Sequence, residues 1–268
     1  MTDADTVRRH YGHDSLIDRL TRALGPEDQR LSPEQLAPLD QFHTLGIRAT
    51  ADLAGLAGIT ADTRVLDIGS GLGGPARWLA ATHGCCVTGV DLSEPFVEAA
   101  RYLTRRTGQA GTVAFEVASA LDLPFDAGQF DVVLLQHVAM NIADRARLYG
   151  EIHRVLMSGG RFATFDVVAG EGTPLYPVPW ARTPDVSCLL TAQATRAAIE
   201  AAGFTNVAWR DDTGAAQAWF ARMRQAGPSS GPNLSLVMGE DFTVLTGNLA
   251  RNLMEGRLGV ITAGFEAR

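Results

Sequence analysis

Cysteine is scarce in this chain of 268 residues, and the three present, Cys85, Cys86 and Cys188, are odd in number and match no metal-ligand spacing. That excludes a disulfide scaffold and a zinc site, and the adjacent pair before an apolar stretch reads as buried structural thiols. Basic residues are also in deficit, 23 against 30 acidic ones, for a net charge of −7. No basic field therefore recommends nucleic acid or an anionic membrane as a partner. No apolar run approaches the roughly 18 residues that a membrane span requires, and the opening MTDADTVRRHYGHD lacks the apolar core of a leader. The expectation is a cytoplasmic protein, without internal repeats, handling neutral or cationic small molecules.

From residue 62 to 168, short apolar runs alternate with helical patterns. Val65–Ile68 reads as a buried strand, followed by a helix over Pro75–His83 closed by Gly84. Cys86–Asp91 is a second strand, and Ser93 is placed to cap a helix reaching Thr107. Thr112–Ala118 and Asp131–Leu135 are further strands, and Asp144–Leu156 is helical. Ser158-Gly159-Gly160 breaks that helix before a fifth strand over Arg161–Val168. Asn206–Arg210 and Gly259–Phe265 complete seven strands. The alternation predicts an α/β, Rossmann-like, doubly wound, mostly parallel seven-stranded sheet. Residues 1–60 are expected as a helical cap or lid, with Gln41–Ala57 a single amphipathic helix. Residues 61–168 form the nucleotide-binding core. Residues 169–268 complete the sheet and carry inserted helices, about 215–255, over the substrate.

Gly69, Gly71 and Gly74 match G-x-G-x-x-G between a strand and a helix, a spacing shared by several nucleotide cofactors. Asp67, at the strand end, distinguishes among them. A carboxylate there opposes a pyrophosphate bound at the helix N-terminus, but suits a cofactor carrying a sulfonium and an ammonium. Asp91 closes the second strand, where a carboxylate accepts the two ribose hydroxyls of any adenosine cofactor. S-adenosylmethionine fits both acids, and a nicotinamide dinucleotide fits only the second.

The blocks VLDIGSGLGGPARWLA, VTGVDLS, LDLPFDAGQFDVVLLQHVAMNI and RLYGEIHRVLMSGGRFATFDVV, in that order, resemble class I S-adenosylmethionine-dependent methyltransferases. Within that superfamily the chain resembles the small-molecule branch containing sarcosine/dimethylglycine and phosphoethanolamine N-methyltransferases, and LDQFHTLGIRATADLA is similar to its pre-core helix. The resemblance implies a cofactor held by Asp67, Gly69, Ser70, Gly71 and Gly73, its ribose on Asp91 and its adenine against Leu92. Ser119-Ala120-Leu121 replaces the acidic residue that the family usually places near the adenine amino group, with Asp122 just beyond. Gln136 and His137 fall where methionine-facing and substrate-facing residues lie.

Methyl transfer from a sulfonium needs chiefly an aligned acceptor, plus a base where the acceptor is an alcohol or carbon acid. His137 is the first candidate base and His43, beside Phe42, the second, while His153 reads as structural. Tyr11 is a candidate lid residue. Phe42, His43, His137, Tyr176 and Trp180 are candidate substrate contacts. The apolar residues of 215–255, among them Met223, Met238 and Phe242, mark a greasy cavity or the interface of a homodimer. No metal is expected. The expected activity is methylation of a nitrogen, oxygen or carbon of a small organic molecule. The alternatives are a cofactor-binding relative used for cyclisation and, further off, a nicotinamide oxidoreductase.

Overall fold

Val65, Leu66, Ile68 and the run Val132–Leu135 offer no polar face to water, and the chain buries both sides of them. Such strands need helices on each face of a parallel sheet. The computed structural model describes residues 16–227 and 231–268, so Tyr11 lies outside the described residues. Helices α1 (Leu16–Leu24), α2 (Pro33–Asp40) and α3 (Ile47–Ala57) precede β1 (Arg64–Ile68). Then follow α4 (Gly74–His83), β2 (Cys86–Asp91), α5 (Glu94–Thr107), β3 (Val113–Val117), β4 (Phe130–Gln136), α6 (Arg145–Val155) and β5 (Leu156–Ala169). The chain finishes with α7 (Ala192–Ala201), β6 (Phe204–Asp211), α8 (Thr213–Ala226), α9 (Ser235–Met238), α10 (Phe242–Met254) and β7 (Leu258–Ala267).

The sheet has the order β3-β2-β1-β4-β5-β7-β6. Strands β1 to β5 pair in parallel, while β7 runs antiparallel to both β5 and β6. This is the expected Rossmann-like, mostly parallel architecture. On one face α3, α4 and α5 pack Leu53, Leu79 and Val97 into the core, and on the other α6 and α7 supply Leu148, Ile152 and Ile199. Because β1 is flanked by β2 and β4, the winding reverses at β1, and a crevice opens where the carboxyl ends of β1 and β4 part.

Several local expectations are corrected. Gln41–Ala57 is not one helix. Ser32 and Gln35 form a capping box that starts α2, which stops at Asp40. The buried Asp40 side chain is taken by Arg77, and Leu45 and Gly46 adopt left-handed φ of 66° and 53° before α3 begins. The break turns Phe42, His43 and Thr44 out of helical register. Ser93 stands at the start of α5 without a side-chain cap, and its backbone N–H donates to Asp91 Oδ1. Ser158–Gly160 lies inside β5 as a register shift against β4, and the strand starts directly at the end of α6. Among the described residues, the helical stretch after 231 is split at Gly239, whose φ is 77°. Cys85 is buried but Cys86 is exposed, since neighbouring residues of an extended chain point to opposite sides.

Candidate functional site

Gly69 to Gly73 leave β1 in a turn that only glycine accommodates at three points, with φ of 72°, 53° and 77° at Gly69, Gly71 and Gly73. The three serve different ends. A Cβ at Gly69 would lie 2.2 Å from Val138 Cγ2, and one at Gly73 would lie 2.3 Å from the Phe115 ring. These two let the loop pack against the turn after β4 and against β3. A Cβ at Gly71 would instead point into open space, with Phe42 at 3.6 Å its nearest neighbour.

Gly69 and Gly71 floor a cavity of about 970 Å³. Asp91, Leu92, Ser119, Ala120, Leu121 and Gln136 line the same end, so the loop, the end of β2 and the turn after β3 converge. Asp67 sits behind the loop, and neither it nor the loop residues Ser70 and Gly73 line the cavity. Asp91 Oδ2 accepts Gly71 N–H at 2.9 Å and Oδ1 accepts Ser93 N–H at 2.9 Å. Each oxygen keeps a lone pair for a further donor. Ser119 Oγ accepts Leu121 N–H at 3.2 Å, whereas the Asp122 side chain is 89% exposed and faces Arg147.

Behind the loop, Asp67 is fully enclosed, and burial, reinforced by the charge of Asp91, pushes its carboxyl up to about 7. Among the described residues its Oδ2 has no partner, nor have Ser70 Oγ and Gln136 Nε2. Three buried polar atoms without partners around one loop are a costly arrangement for a protein to keep.

His43, His137, Trp180 and Phe42 also line the cavity, but Tyr176 packs against the core instead. Trp180 is held by a 2.9 Å bond from its Nε1–H to Ser187 Oγ. His137 has a left-handed φ of 54°. Its N–H donates to Phe165 O at 2.8 Å, and its ring stacks on Phe165 at 5.1 Å and 13°. Asp166 anchors the same turn by accepting Ala139 N–H at 3.0 Å. Burial lowers His43 to about 4, and burial together with His43 holds His137 well below 6.5. Both rings are therefore neutral at physiological pH. His43 Nε2 meets Thr50 Oγ1 at 3.2 Å, and that hydroxyl donates to Gln136 Oε1 at 3.1 Å. With its proton so directed, Thr50 can only accept from His43, which fixes His43 as an Nε2–H donor. His137 Nε2 has a looser neighbour, Thr44 Oγ1 at 3.4 Å.

Sequence reasoning singled out neither Thr44 and Thr50 nor the roof residues Trp219 and Phe220 as parts of the site, whereas Leu234, read with the apolar residues of 215–255, does line the cavity. The roof lies on α8 to α10 and the loops between them, whose apolar residues were read only collectively.

Residues 66–164 match the family profile described as a methyltransferase domain. Over those residues the chain is similar to methyltransferase domains. It is 33% identical over 166 residues to the glycine/sarcosine/dimethylglycine N-methyltransferase of Actinopolyspora halophila, a match covering 62% of this chain and 29% of that protein. The chain thus spans less than a third of that relative's length. Among solved structures, the geranyl diphosphate C-methyltransferase of Streptomyces coelicolor, bound to S-adenosylhomocysteine, superposes with a TM-score of 0.74 over 100% of this chain and 99% of that one, at 17% identity. The [4+2]-cyclase SpnF superposes with a TM-score of 0.71 at 20% identity, covering 100% and 97%. At such identities these two share the fold of the methyltransferase domain with this chain. No helix among the described residues is long and apolar enough to cross a membrane.

Proposed function

We propose that the protein is an S-adenosylmethionine-dependent methyltransferase acting on a small organic molecule at nitrogen, oxygen or carbon. The observation carrying this reading is the single cavity that runs from Gly71 and Asp91 past His137 to the roof helices. It gives a cofactor and an acceptor one shared space. The residues present fit the cofactor. The Gly71 Cβ direction is open, Asp91 keeps lone pairs for ribose hydroxyls, and Leu92 with Ser119–Leu121 flanks the place for adenine. The unpartnered atoms of Asp67, Ser70 and Gln136 supply polar groups behind the methionine end, with Gly69 and Gly73 shaping the loop. A pyrophosphate on this loop would lie close to the buried carboxyl of Asp67, which disfavours a dinucleotide.

When bound, S-adenosylmethionine supplies a methyl whose bond to sulfur breaks, returning the electron pair to sulfur, as the acceptor's lone pair forms the new bond. His137 stands where it takes a proton from a hydroxyl or carbon acid on Nε2, while His43, committed through Thr50, orients. Phe42 and Trp180 exclude water from the same space. Calorimetry with S-adenosylmethionine, S-adenosylhomocysteine and NAD tests the cofactor, and mass spectrometry of an acceptor panel for the gain of one methylene tests the transfer. NAD binding tighter than S-adenosylmethionine overturns the reading. Tight cofactor binding with no methylated product across amines, phenols and alcohols favours a non-methylating use, as in the cyclase neighbour.

Two further results are expected. Asp67 is largely protonated below pH 7 in the free protein, and a cationic ligand favours its ionised form. Cofactor affinity should therefore rise with pH, Kd falling by up to about tenfold per unit between pH 6 and 7 and levelling above it. Proton release on binding, read from calorimetry in buffers of different ionisation enthalpy, checks this, and a Kd flat from pH 6 to 8 contradicts it. The second concerns His137→Asn, which keeps a side chain that tolerates the left-handed backbone. General bases contribute about 10²–10⁴-fold, and the weak basicity of this imidazole puts the expected kcat loss near the lower end. Single-turnover rates on an alcohol acceptor should show it with cofactor Kd within threefold of wild type.

A further inference from the structure

We infer that the methyl acceptor is a neutral, largely hydrocarbon molecule carrying a hydroxyl group, held beneath the roof formed by α8 to α10. The inference rests on the cofactor reading above and concerns the other end of the same cavity.

Size comes first. Ligand pockets begin at roughly 300 Å³, so a cavity of about 970 Å³ accommodates a second molecule of substantial size beside the cofactor. The roof is then built by helical periodicity. On α10, Thr243, Thr246, Gly247, Ala250 and Met254 recur at spacings of three and four and line the cavity, while Leu245 and Leu253 are buried away from it. Gln217, Phe220, Ala221 and Arg224 do the same on α8. Two exposed methionines, Met223 and Met254, belong to the lining and give it an adaptable apolar lip.

Charge excludes two acceptor classes. Among the described residues, the ionisable side chains lining the cavity are Asp91, Arg224, His43 and His137. Asp91 belongs to the cofactor end and the imidazoles are neutral, which leaves Arg224 as the roof's charged group. A zwitterionic amine such as sarcosine would bury an ammonium and a carboxylate without partners for both, a heavy desolvation penalty. A diphosphate ester would bring several negative charges to one arginine. A hydroxyl, in contrast, both donates and accepts. It matches the pair at the junction of the two ends, His137 Nε2 and Thr44 Oγ1, which are 3.4 Å apart and available to a ligand that inserts between or beside them. In the transfer the oxygen lone pair takes the methyl, the sulfonium becomes a neutral thioether, and the hydroxyl proton passes to His137 Nε2.

The test uses the full chain saturated with S-adenosylhomocysteine and titrates farnesol, testosterone, sarcosine and geranyl diphosphate by calorimetry. The better of the two neutral alcohols is expected to bind at least tenfold tighter than sarcosine and geranyl diphosphate, with a negative heat-capacity change. A variant then locates the site. A Cβ at Gly247 meets nothing within 4 Å, so Gly247→Phe directs its ring from an open position into the roof end and replaces a poor helix former. It should weaken the alcohol at least tenfold and leave S-adenosylhomocysteine affinity within twofold, and Ala250→Leu should act in the same direction. Sarcosine or geranyl diphosphate binding as tightly as the alcohols overturns the inference while leaving the cofactor reading intact, and so does an alcohol indifferent to both variants. Failure of S-adenosylhomocysteine to bind brings down the cofactor reading and this inference with it.

Discussion

Asp91→Asn is expected to raise the Kd for S-adenosylmethionine by a hundredfold or more, the largest effect on binding of any single change in the site. Both carboxylate oxygens already accept backbone N–H groups, from Gly71 and Ser93, at 2.9 Å each. An asparagine has one acceptor oxygen, and its amide nitrogen would face one of those N–H groups as a second donor. The loop or the entry to α5 must then shift, and in addition one ribose hydroxyl loses its anionic acceptor. Hydrogen bonds to charged groups contribute about 1.5–3 kcal/mol each, and every 1.4 kcal/mol is a factor of about ten in Kd, so two such losses set the expected scale. Calorimetry on the folded variant, with circular dichroism as the control for structure, decides it. A Kd within threefold of wild type would falsify the assignment of Asp91.

The largest effect on stability is expected at Arg77, which touches no part of the cavity. Its guanidinium is completely buried and donates from Nη2 to Asp40 Oδ2 at 2.6 Å and to Leu72 O at 2.6 Å. Nη1 reaches Ala100 O and Thr104 Oγ1, both at 3.2 Å. One side chain on α4 thus ties together α2, the glycine loop and α5. Burial pushes the Asp40 carboxyl up and the guanidinium down, and their mutual attraction opposes both shifts. Removing one partner of a buried pair leaves an uncompensated charge and costs about 3–5 kcal/mol. Arg77→Ala should lose that much in urea unfolding. The double change Arg77→Met with Asp40→Leu should recover a good part, since a well-packed apolar pair avoids the desolvation penalty altogether. A loss under about 1 kcal/mol for the single variant, the level of an exposed ion pair, sinks the argument.

Arg77 also shows where sequence reading stopped. The central strands β1 and β4 were legible because they are buried on both sides, and the loop was legible because glycine and aspartate have few reasons to stand together between a strand and a helix. Asp91 was placed by its position at a strand end. Nothing local distinguishes Arg77 from a solvated helical arginine, because its partners lie 37, 23 and 27 residues away at Asp40, Ala100 and Thr104. The same distance in sequence hid the broken helix at Gln41–Gly46, where a tertiary ion pair overrides an amphipathic pattern. It also hid the Thr50–Gln136 bond that fixes the tautomer of His43, which spans 86 residues. Tyr176 and Trp180 looked equivalent in the proline-rich segment, yet only Trp180 reaches the cavity.

The roof helices leave the sheet after β6 and return at β7, and these two strands are antiparallel neighbours paired from Phe204–Ala267 to Asp211–Ile261. The whole excursion, residues 213–254, therefore begins and ends at one edge of the sheet. Its inner side is tied to the core through Ala216, Leu249 and Leu253. Its cavity-facing side is separate in sequence from β1, β2 and the glycine turn, so changes there alter the roof and leave the floor as it is.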